Sequence, residues 1–255
     1  MSGRLSGKVA LVTGGSKGIG RSTAILFAKE GAKVVLMARG EPALNVVAEE
    51  IRSGGGDVSV FVGDVSKEDD CNAVVTFCLS TYGVLNVAFN NAGIFASAPF
   101  SQISEEMVDS IMGTNVKSVI FCLKYQIPAM ALNKDGGSII VNSSVMSQRA
   151  QTTFSTAGVY AASKANVDML VRYGAIEAAE HGIRVNAVNP GIVDTPLWDG
   201  MPPDTLQGFC KDLQLFGRAT TPDEIARSVL YLASDDSTMV TGSMHVMDGG
   251  WGLKA

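Results

Sequence analysis

Tyr160 and Lys164 lie four positions apart in the run Thr156-Ala157-Gly158-Val159-Tyr160-Ala161-Ala162-Ser163-Lys164-Ala165. The run is rich in Ala and free of Pro, so it reads as the start of a helix. Residues four apart on a helix share a face. A phenol beside an ammonium is a proton-transfer pair: the positive charge favours the phenolate and is expected to draw the Tyr pKa below its usual value of about 10. A Tyr tuned in that way can give or take a proton near neutral pH. The same spacing also arises between ordinary helix-surface neighbours, so the pair takes its meaning from the elements around it.

Those elements alternate. An apolar run, Lys8 to Val12, ends in Thr13-Gly14-Gly15-Ser16-Lys17-Gly18-Ile19-Gly20, after which Ile19, Thr23, Leu26 and Phe27 recur at helical spacing up to Glu30-Gly31. Glycines between a strand and a helix are where a dinucleotide-binding loop must lie. Without Cβ atoms they let a pyrophosphate approach the backbone and the helix N-terminus. Lys33 to Ala38 reads as the second strand. At its tip an acid would select NAD by binding the ribose 2′-OH, and a base would select NADP by binding a 2′-phosphate. Here the tip is Ala38-Arg39, no acid occurs before Glu41, and Lys17 adds a second cation from the glycine loop. This pattern favours NADP(H) over NAD(H), with solvated surface charge as the alternative.

Pro42 to Arg52 reads as a helix and Asp57 to Val62 as a third strand, ending at Gly63-Asp64-Val65. Asp64 stands where an adenine contact would be, or it caps the next helix, Lys67 to Tyr82, in competition with Ser66. A fourth strand, Leu85 to Asn90, breaks at Asn90-Asn91-Ala92-Gly93. Phe100 to Leu132 contains one long helical region with the polar Asn115 in it. Ser138 to Asn142 is a strand followed by Ser143-Ser144. The Tyr160 helix then runs to about His181. Ile183 to Val188 is the sixth strand and ends in Asn189-Pro190-Gly191-Ile192-Val193-Asp194-Thr195-Pro196. Leu197 to Phe216 mixes Pro, Trp, Met and Phe without a clean period and reads as a mobile lid with one short helix, so that 195–216 covers the substrate. Pro222 to Ser234 is helical behind a Thr221 cap, and Met244 to Met247 is a last strand.

Strands alternating with helices in this way predict an α/β chain: a Rossmann-like, doubly wound parallel sheet of about seven strands with helices on both faces. No repeat or linker divides residues 1–255, so one domain is expected. Ligands of such sheets sit beyond the carboxyl ends of the strands, where the glycine loop, Arg39, Asp64 and Asn91 all fall.

Composition sets the outer limits. Of 255 residues, 46% are hydrophobic and 18% charged, enough for a large core. A net charge of -5 with no basic run argues against a nucleic-acid partner. No apolar run is long enough for a membrane span, and Met1 to Gly7 holds no signal-peptide apolar stretch, so a cytoplasmic location is expected. Cys71, Cys78, Cys122 and Cys210 fit neither a metal spacing nor a disulfide framework, and the two histidines, His181 and His245, form no ligand set. No metal is expected.

Over about Ser6 to Gly250 the chain resembles the short-chain dehydrogenase/reductase family in its single-domain form. Thr13-Gly14-x-x-x-Gly18-x-Gly20 matches the family's cofactor loop, and Asn90-Asn91-Ala92-Gly93 its motif after the fourth strand. Asn115, Ser144, Tyr160 and Lys164 fall on its catalytic tetrad, and Pro190-Gly191 with Thr195 on the segment that holds the nicotinamide. The resemblance implies an NADPH-dependent oxidoreductase that reduces a ketone or aldehyde to an alcohol, and reversibly oxidises the alcohol. Tyr160 would be the general acid or base. Lys164 would lower its pKa and bind the nicotinamide ribose, Ser144 would hydrogen-bond the substrate oxygen, and Asn115 would hold a water that relays protons from Lys164. The cofactor would be held by Gly14, Ser16, Lys17, Gly18, Ile19, Gly20, Arg39, Asp64, Val65, Asn91, Ala92, Gly93, Tyr160, Lys164, Pro190, Gly191, Val193 and Thr195. Two departures stand out: the Ser144-to-Tyr160 gap is longer than usual in the family, and Ser143 adjoins Ser144. Phe95, Val145, Phe154, Trp198, Met201 and Phe209 are expected to line an apolar substrate pocket, or to pack the lid on the core. The resemblance also implies a homotetramer, or a dimer, built on the long helices. A non-catalytic NADP sensor on the same fold is the competing function, but such a module has no need of Tyr160 and Lys164.

Overall fold

The computed structural model describes residues 3–254. Seven strands form one parallel sheet: β1 (Val9–Thr13), β2 (Lys33–Ala38), β3 (Asp57–Val62), β4 (Val87–Asn90), β5 (Gly137–Asn142), β6 (Ile183–Pro190) and β7 (Met244–Met247). Their order is β3-β2-β1-β4-β5-β6-β7, and each adjacent pair runs parallel. The order reverses between β1 and β4, which opens a crevice where loops leave in opposite directions. Register brings the strand ends together. Thr13 pairs with Met37 and Asn90, Asn90 with Val141, and Asn142 with Val188. The chemistry-bearing segments therefore leave the sheet along one edge.

The period-two alternation of the strands divides the core. Leu11, Val35, Ile139 and Val141 point to one face, and Ala10, Val12, Val34, Leu36 and Ile140 to the other. The first face is covered by α3 (Glu68–Tyr82), α5 (Ser118–Ala131) and α6 (Gly158–Ala178), which contribute Val74, Leu123 and Val171. The second is covered by α1 (Gly18–Lys29), α2 (Glu41–Ser53) and α8 (Pro222–Ala233), which contribute Phe27, Leu44 and Val229. All four cysteines are buried free thiols.

The long helical region expected over Phe100 to Leu132 is divided. A 3-10 turn at Phe100–Gln102 precedes α4 (Glu105–Met112), which Ser104 caps by accepting the Met107 N–H at 3.2 Å. One π turn, Gly113–Lys117, then joins α4 to α5. A π turn accommodates one residue more than an α turn and shifts the faces of the flanking helices. Here it holds Asn115 inward, 1% exposed. The segment expected as a lid holds more structure than one short helix: a 3-10 turn, Pro196–Trp198, and the eleven-residue α7 (Pro203–Leu213).

Candidate active site

A cavity of about 580 Å³ opens at the carboxyl edge of the sheet, across the β1/β4 reversal. The β1–α1 loop forms its floor through Gly14, Ser16, Lys17, Gly18 and Ile19. Met37, Ala38 and Arg39 follow from β2, Asp64 and Val65 from β3, and Asn91, Ala92, Gly93, Ile94 and Phe95 from β4. Thr114, Asn142, Ser143, Tyr160, Lys164, Thr195, Pro196 and Leu197 complete the wall.

The loop demands its glycines. Gly14 and Gly18 have φ of +63° and +55°, the left-handed region that other residues rarely adopt. Gly20 lies inside α1, and a Cβ there would stand 2.2 Å from the Gly14 carbonyl oxygen and 2.6 Å from Asn91 Nδ2. Asn91 ties the loop down by donating to the Thr13 and Gly14 carbonyls at 3.1 and 3.2 Å. Thr13 Oγ1 accepts the Asn91 and Ala92 N–H groups in return. Gly20→Ala is therefore expected to push the loop off Asn91. Overpacking of this kind costs about 1–3 kcal/mol, so cofactor affinity should fall between about fivefold and about 150-fold, as read by titration of nicotinamide fluorescence. Unchanged affinity would show that the loop tolerates the shift.

Gly20, Pro190, Gly191 and Val193, expected at the cofactor, stand behind the cavity wall rather than in its lining. Gly191 is packed so closely that a Cβ would meet Gln214 Oε1 at 2.6 Å. The Val193 carbonyl accepts the Trp198 indole N–H at 2.9 Å. Thr195 reaches the cavity and lies against the glycine loop: a Cβ on Gly18 would be 3.3 Å from Thr195 Cγ2. Asp64 does not cap a helix. Its carboxylate accepts the Ser66 N–H and hydroxyl at 2.9 and 2.8 Å in a local turn. Burial alone would raise its pKa, but the Ser66 hydrogen bonds with the charges of Arg39 and Lys67 hold it below the ordinary carboxylate value.

The four residues of the expected tetrad converge from three elements. Asn115 Oδ1 accepts the Ile94 N–H at 2.9 Å, while Nδ2 donates to the Ile94 carbonyl at 3.0 Å and to Ser163 Oγ at 3.1 Å. The amide thus clamps the strand-β4 exit onto α6. Lys164, 5% exposed, donates to the Asn142 carbonyl at 2.7 Å, and Tyr160 lies with its ring centroid 5.8 Å from Lys164 Nζ. Of the two adjacent serines, Ser143 donates its hydroxyl to the Lys164 carbonyl at 3.3 Å. Ser144 Oγ accepts the Met146 N–H at 3.2 Å, and it is the serine whose hydroxyl acts on the Tyr160 phenol, drawing its pKa down.

The expected lowering of the Tyr160 pKa is not what the cofactor-free site produces. Burial pushes the phenol up to about 12, and the Ser144 hydroxyl offsets only part of this. The lysine is the perturbed cation: burial draws its ammonium down to about 8, with the Asp168 charge acting in the opposite direction. The physical reason is direction. Lys164 Nζ is spent on a backbone carbonyl beside the ring, so desolvation outweighs the attraction that helix spacing suggested.

The family model described as enoyl-(acyl carrier protein) reductase matches residues 14–252. A cyclohexanol dehydrogenase of Acinetobacter sp. is 35% identical over 255 residues, which cover 100% of this chain and 98% of that one. The 3-oxoacyl-[acyl-carrier-protein] reductase FabG of Thermotoga maritima is 36% identical, covering 97% and 98%. A short-chain type dehydrogenase/reductase from Mycobacterium marinum superposes with a TM-score of 0.93 at 35% identity, covering 98% of this chain and 97% of that one.

The chain belongs to the short-chain dehydrogenase/reductase family.

As a member it is an oxidoreductase of CH–OH and C=O groups that uses a nicotinamide cofactor. Among the residues expected to meet substrate, Phe95 alone lines the cavity, edge-on to Tyr160 at 4.9 Å between centroids. Val145 is 3% exposed and packs with Ile192, Cys210, Leu213 and Trp251. Phe154 packs against Trp198, Phe209 and Trp251 with ring centroids 6.2, 5.3 and 5.8 Å apart, edge-on to Phe209 and tilted to the other two. Met201 lies outside the lining and bonds back to the Trp198 carbonyl. Asn142 was absent from the expected site, yet it accepts from Lys164 through its carbonyl and donates Nδ2 to Asn91 Oδ1 at 3.0 Å. Its place at the end of β5, two residues before Ser144, was the signal available in the sequence.

Proposed function

We propose that this family member is an NADPH-dependent reductase that converts a ketone or aldehyde to an alcohol and runs reversibly as an alcohol dehydrogenase. The observation that carries the reading is the Tyr160 phenol, half-buried in the wall of a cavity of about 580 Å³ and raised to about 12 by desolvation. Reduction needs a proton donor at the carbonyl oxygen, and a phenol raised to about 12 remains one across the physiological range. The relatives named as a cyclohexanol dehydrogenase and a 3-oxoacyl-carrier reductase fit chemistry at a carbinol or ketone carbon.

The left-handed glycines, which leave the loop backbone bare of side chains, suit a pyrophosphate held against the α1 N-terminus. When bound, the nicotinamide supplies the hydride. Tyr160 donates its proton to the carbonyl oxygen as charge develops there, and Ser144 steadies that oxygen by a second hydrogen bond. Lys164 holds the ribose hydroxyls and keeps positive charge near the phenol. Asn115 fixes the π turn that places a proton relay behind Lys164. The chain acts as one domain, with 195–216 as the substrate lid and Phe95, Val145, Phe154, Trp198 and Met201 as the apolar wall that its opening presents. The protein is read as cytoplasmic, and a homotetramer or a dimer is supported by Met169, Tyr173 and Ile176, which expose 49, 65 and 74% of their surface along the outer face of α6.

The preference for NADPH rests on Lys17 and Arg39, exposed at the cavity and, among the described residues, in no salt bridge. Each charge-assisted bond to a 2′-phosphate contributes about 1.5–3 kcal/mol. Lys17→Ala/Arg39→Ala is thus expected to raise the NADPH KM about a hundredfold or more and leave that for NADH within a few-fold. Steady-state rates against a panel of ketones, aldehydes and quinones, with NADPH and NADH in parallel, test both parts. Faster turnover with NADH in the parent protein would sink the phosphate assignment. Tight NADPH binding without turnover on any carbonyl would favour the sensor.

A further inference from the structure

A buried carboxylate lies one turn beyond Lys164 on α6. Asp168 is 6% exposed, and its Oδ2 accepts the Ser147 hydroxyl at 2.5 Å. Asn189 Nδ2, from the end of β6, reaches both carboxylate oxygens at 3.2 and 3.0 Å, Ser147 Oγ at 3.0 Å and the Ser144 carbonyl at 3.1 Å. Asn189 is itself fully buried. This network joins three elements: α6, which carries Tyr160 and Lys164; the 3-10 turn Val145–Ser147, which follows Ser144; and β6, which leads into the Pro190–Thr195 segment. None of the roles assigned above uses it.

A buried carboxylate is costly unless hydrogen bonds and a counter-charge satisfy it. The hydrogen bonds come from Ser147 and Asn189, and Lys164, four residues back on the same face of α6, contributes positive charge through space without a salt bridge. The groups that face Lys164 from the neighbouring elements are the Asn142 carbonyl and Ser143 of the β5 end, Gly93 of the β4 exit and Asn115 of the π turn, all uncharged. On α6 itself they are the neutral Tyr160 phenol and Asp168. On the Asp168 side, Ser147 and Asn189 are uncharged, and the adjoining charged residues Arg149 and Arg172 are exposed.

We infer that Asp168 is a positioning residue for the reaction: with Ser147 and Asn189 it seats the Ser144 turn on the Tyr160 helix and sets its carboxylate one turn beyond Lys164 on the same helix face. The inference rests on the reductase reading for its kinetic consequence, but the charge coupling is measurable without turnover.

The test follows Lys164 Nζ by ¹⁵N NMR through a pH titration of the cofactor-free protein, with the signal assigned by Lys164→Arg. Asp168→Asn keeps the side-chain shape and removes the charge. It is expected to lower the Lys164 titration midpoint by about one pH unit and to move the alkaline limb of kcat/KM the same way. Ser147→Ala keeps the charge and loosens the turn. It should lower kcat without displacing the titration. If Asp168→Asn fails to fold, the exchange Asp168→Ser/Ser147→Asp returns the carboxylate from the other side of the same hydrogen bond. A midpoint close to the parent's is then required, and one lower by about one pH unit overturns the inference. An unmoved Lys164 midpoint in folded Asp168→Asn also overturns it and leaves only packing, whatever happens to the rate. Absence of carbonyl turnover in the parent protein would count against the reductase reading alone, since the titration reads the coupling independently.

Discussion

Tyr160→Phe is expected to lower carbonyl turnover by about 10³-fold while cofactor affinity changes little. A positioned general acid contributes about 10²–10⁴ in rate, and here no second acid stands ready. Lys164 is turned to the Asn142 carbonyl, and the Ser144 hydroxyl is too weak an acid to replace a phenol. The phenylalanine ring fits the same space and keeps the edge-on contact with Phe95 at 4.9 Å. The cavity wall therefore survives, and the loss should fall on kcat. The check is single-turnover reduction with NADPH, beside a fluorescence titration of NADPH on both proteins. A variant that keeps a tenth of the parent rate would remove Tyr160 from the proton path. Because burial holds the phenol near 12, ionisation of Tyr160 should not shape the pH profile of reduction below about pH 10. The alkaline limb should instead follow Lys164 near pH 8.

Lys164→Met should separate stability from activity. The buried ammonium titrates at about 8 in the folded chain against an ordinary value of 10.5. The folded state therefore disfavours the charged form. This destabilising contribution is fully present below pH 8 and is relieved as pH rises from 8 through 10.5. A difference of that size corresponds to about 3 kcal/mol at neutral pH. Methionine fills a similar volume without a charge, but it leaves the Asn142 carbonyl without its donor, at a cost of about 1–2 kcal/mol. The net expectation is a cofactor-free protein more stable by about 1–2 kcal/mol at pH 7, with the gain vanishing above about pH 10. Turnover should fall by about 10²-fold or more, because the phenol loses its cation and the ribose its ligand. Thermal unfolding at pH 7 and pH 10 checks the first part. A melting temperature lowered at pH 7 would mean that the lysine's hydrogen bond outweighs its desolvation.

Much of this was legible in order along the chain. The strand-glycine-helix junction at Thr13 to Gly20, the second-strand tip at Arg39 and the break at Asn90 to Gly93 each carry local constraints, and local constraints are written in residue type. Gly14 and Gly18 are glycines because φ is positive there. The helices of Pro42 to Arg52 and Pro222 to Ser234 are read from spacing and caps, and Thr221 forms a capping box with Glu224. The division of Phe100 to Leu132 was not legible. A π turn has no spacing signature of its own, and it persists here because Asn115 clamps Ile94 from a distant part of the chain.

The sequence by itself determined the parallel α/β order, the edge at which the loops collect, and the residue types able to bind a dinucleotide and move a proton. These follow from periodicity and from conformations that only certain residues adopt. The tertiary structure decided the electrostatics. Helix spacing put Lys164 beside Tyr160, but the Asn142 carbonyl from another strand set where its ammonium points, and the surrounding core set how poorly water reaches it. It also decided which aromatic rings face the cavity: Phe95 does, whereas Phe154 and Trp198 meet each other. Desolvation and side-chain direction depend on neighbours far away in the chain, and no window of sequence contains them.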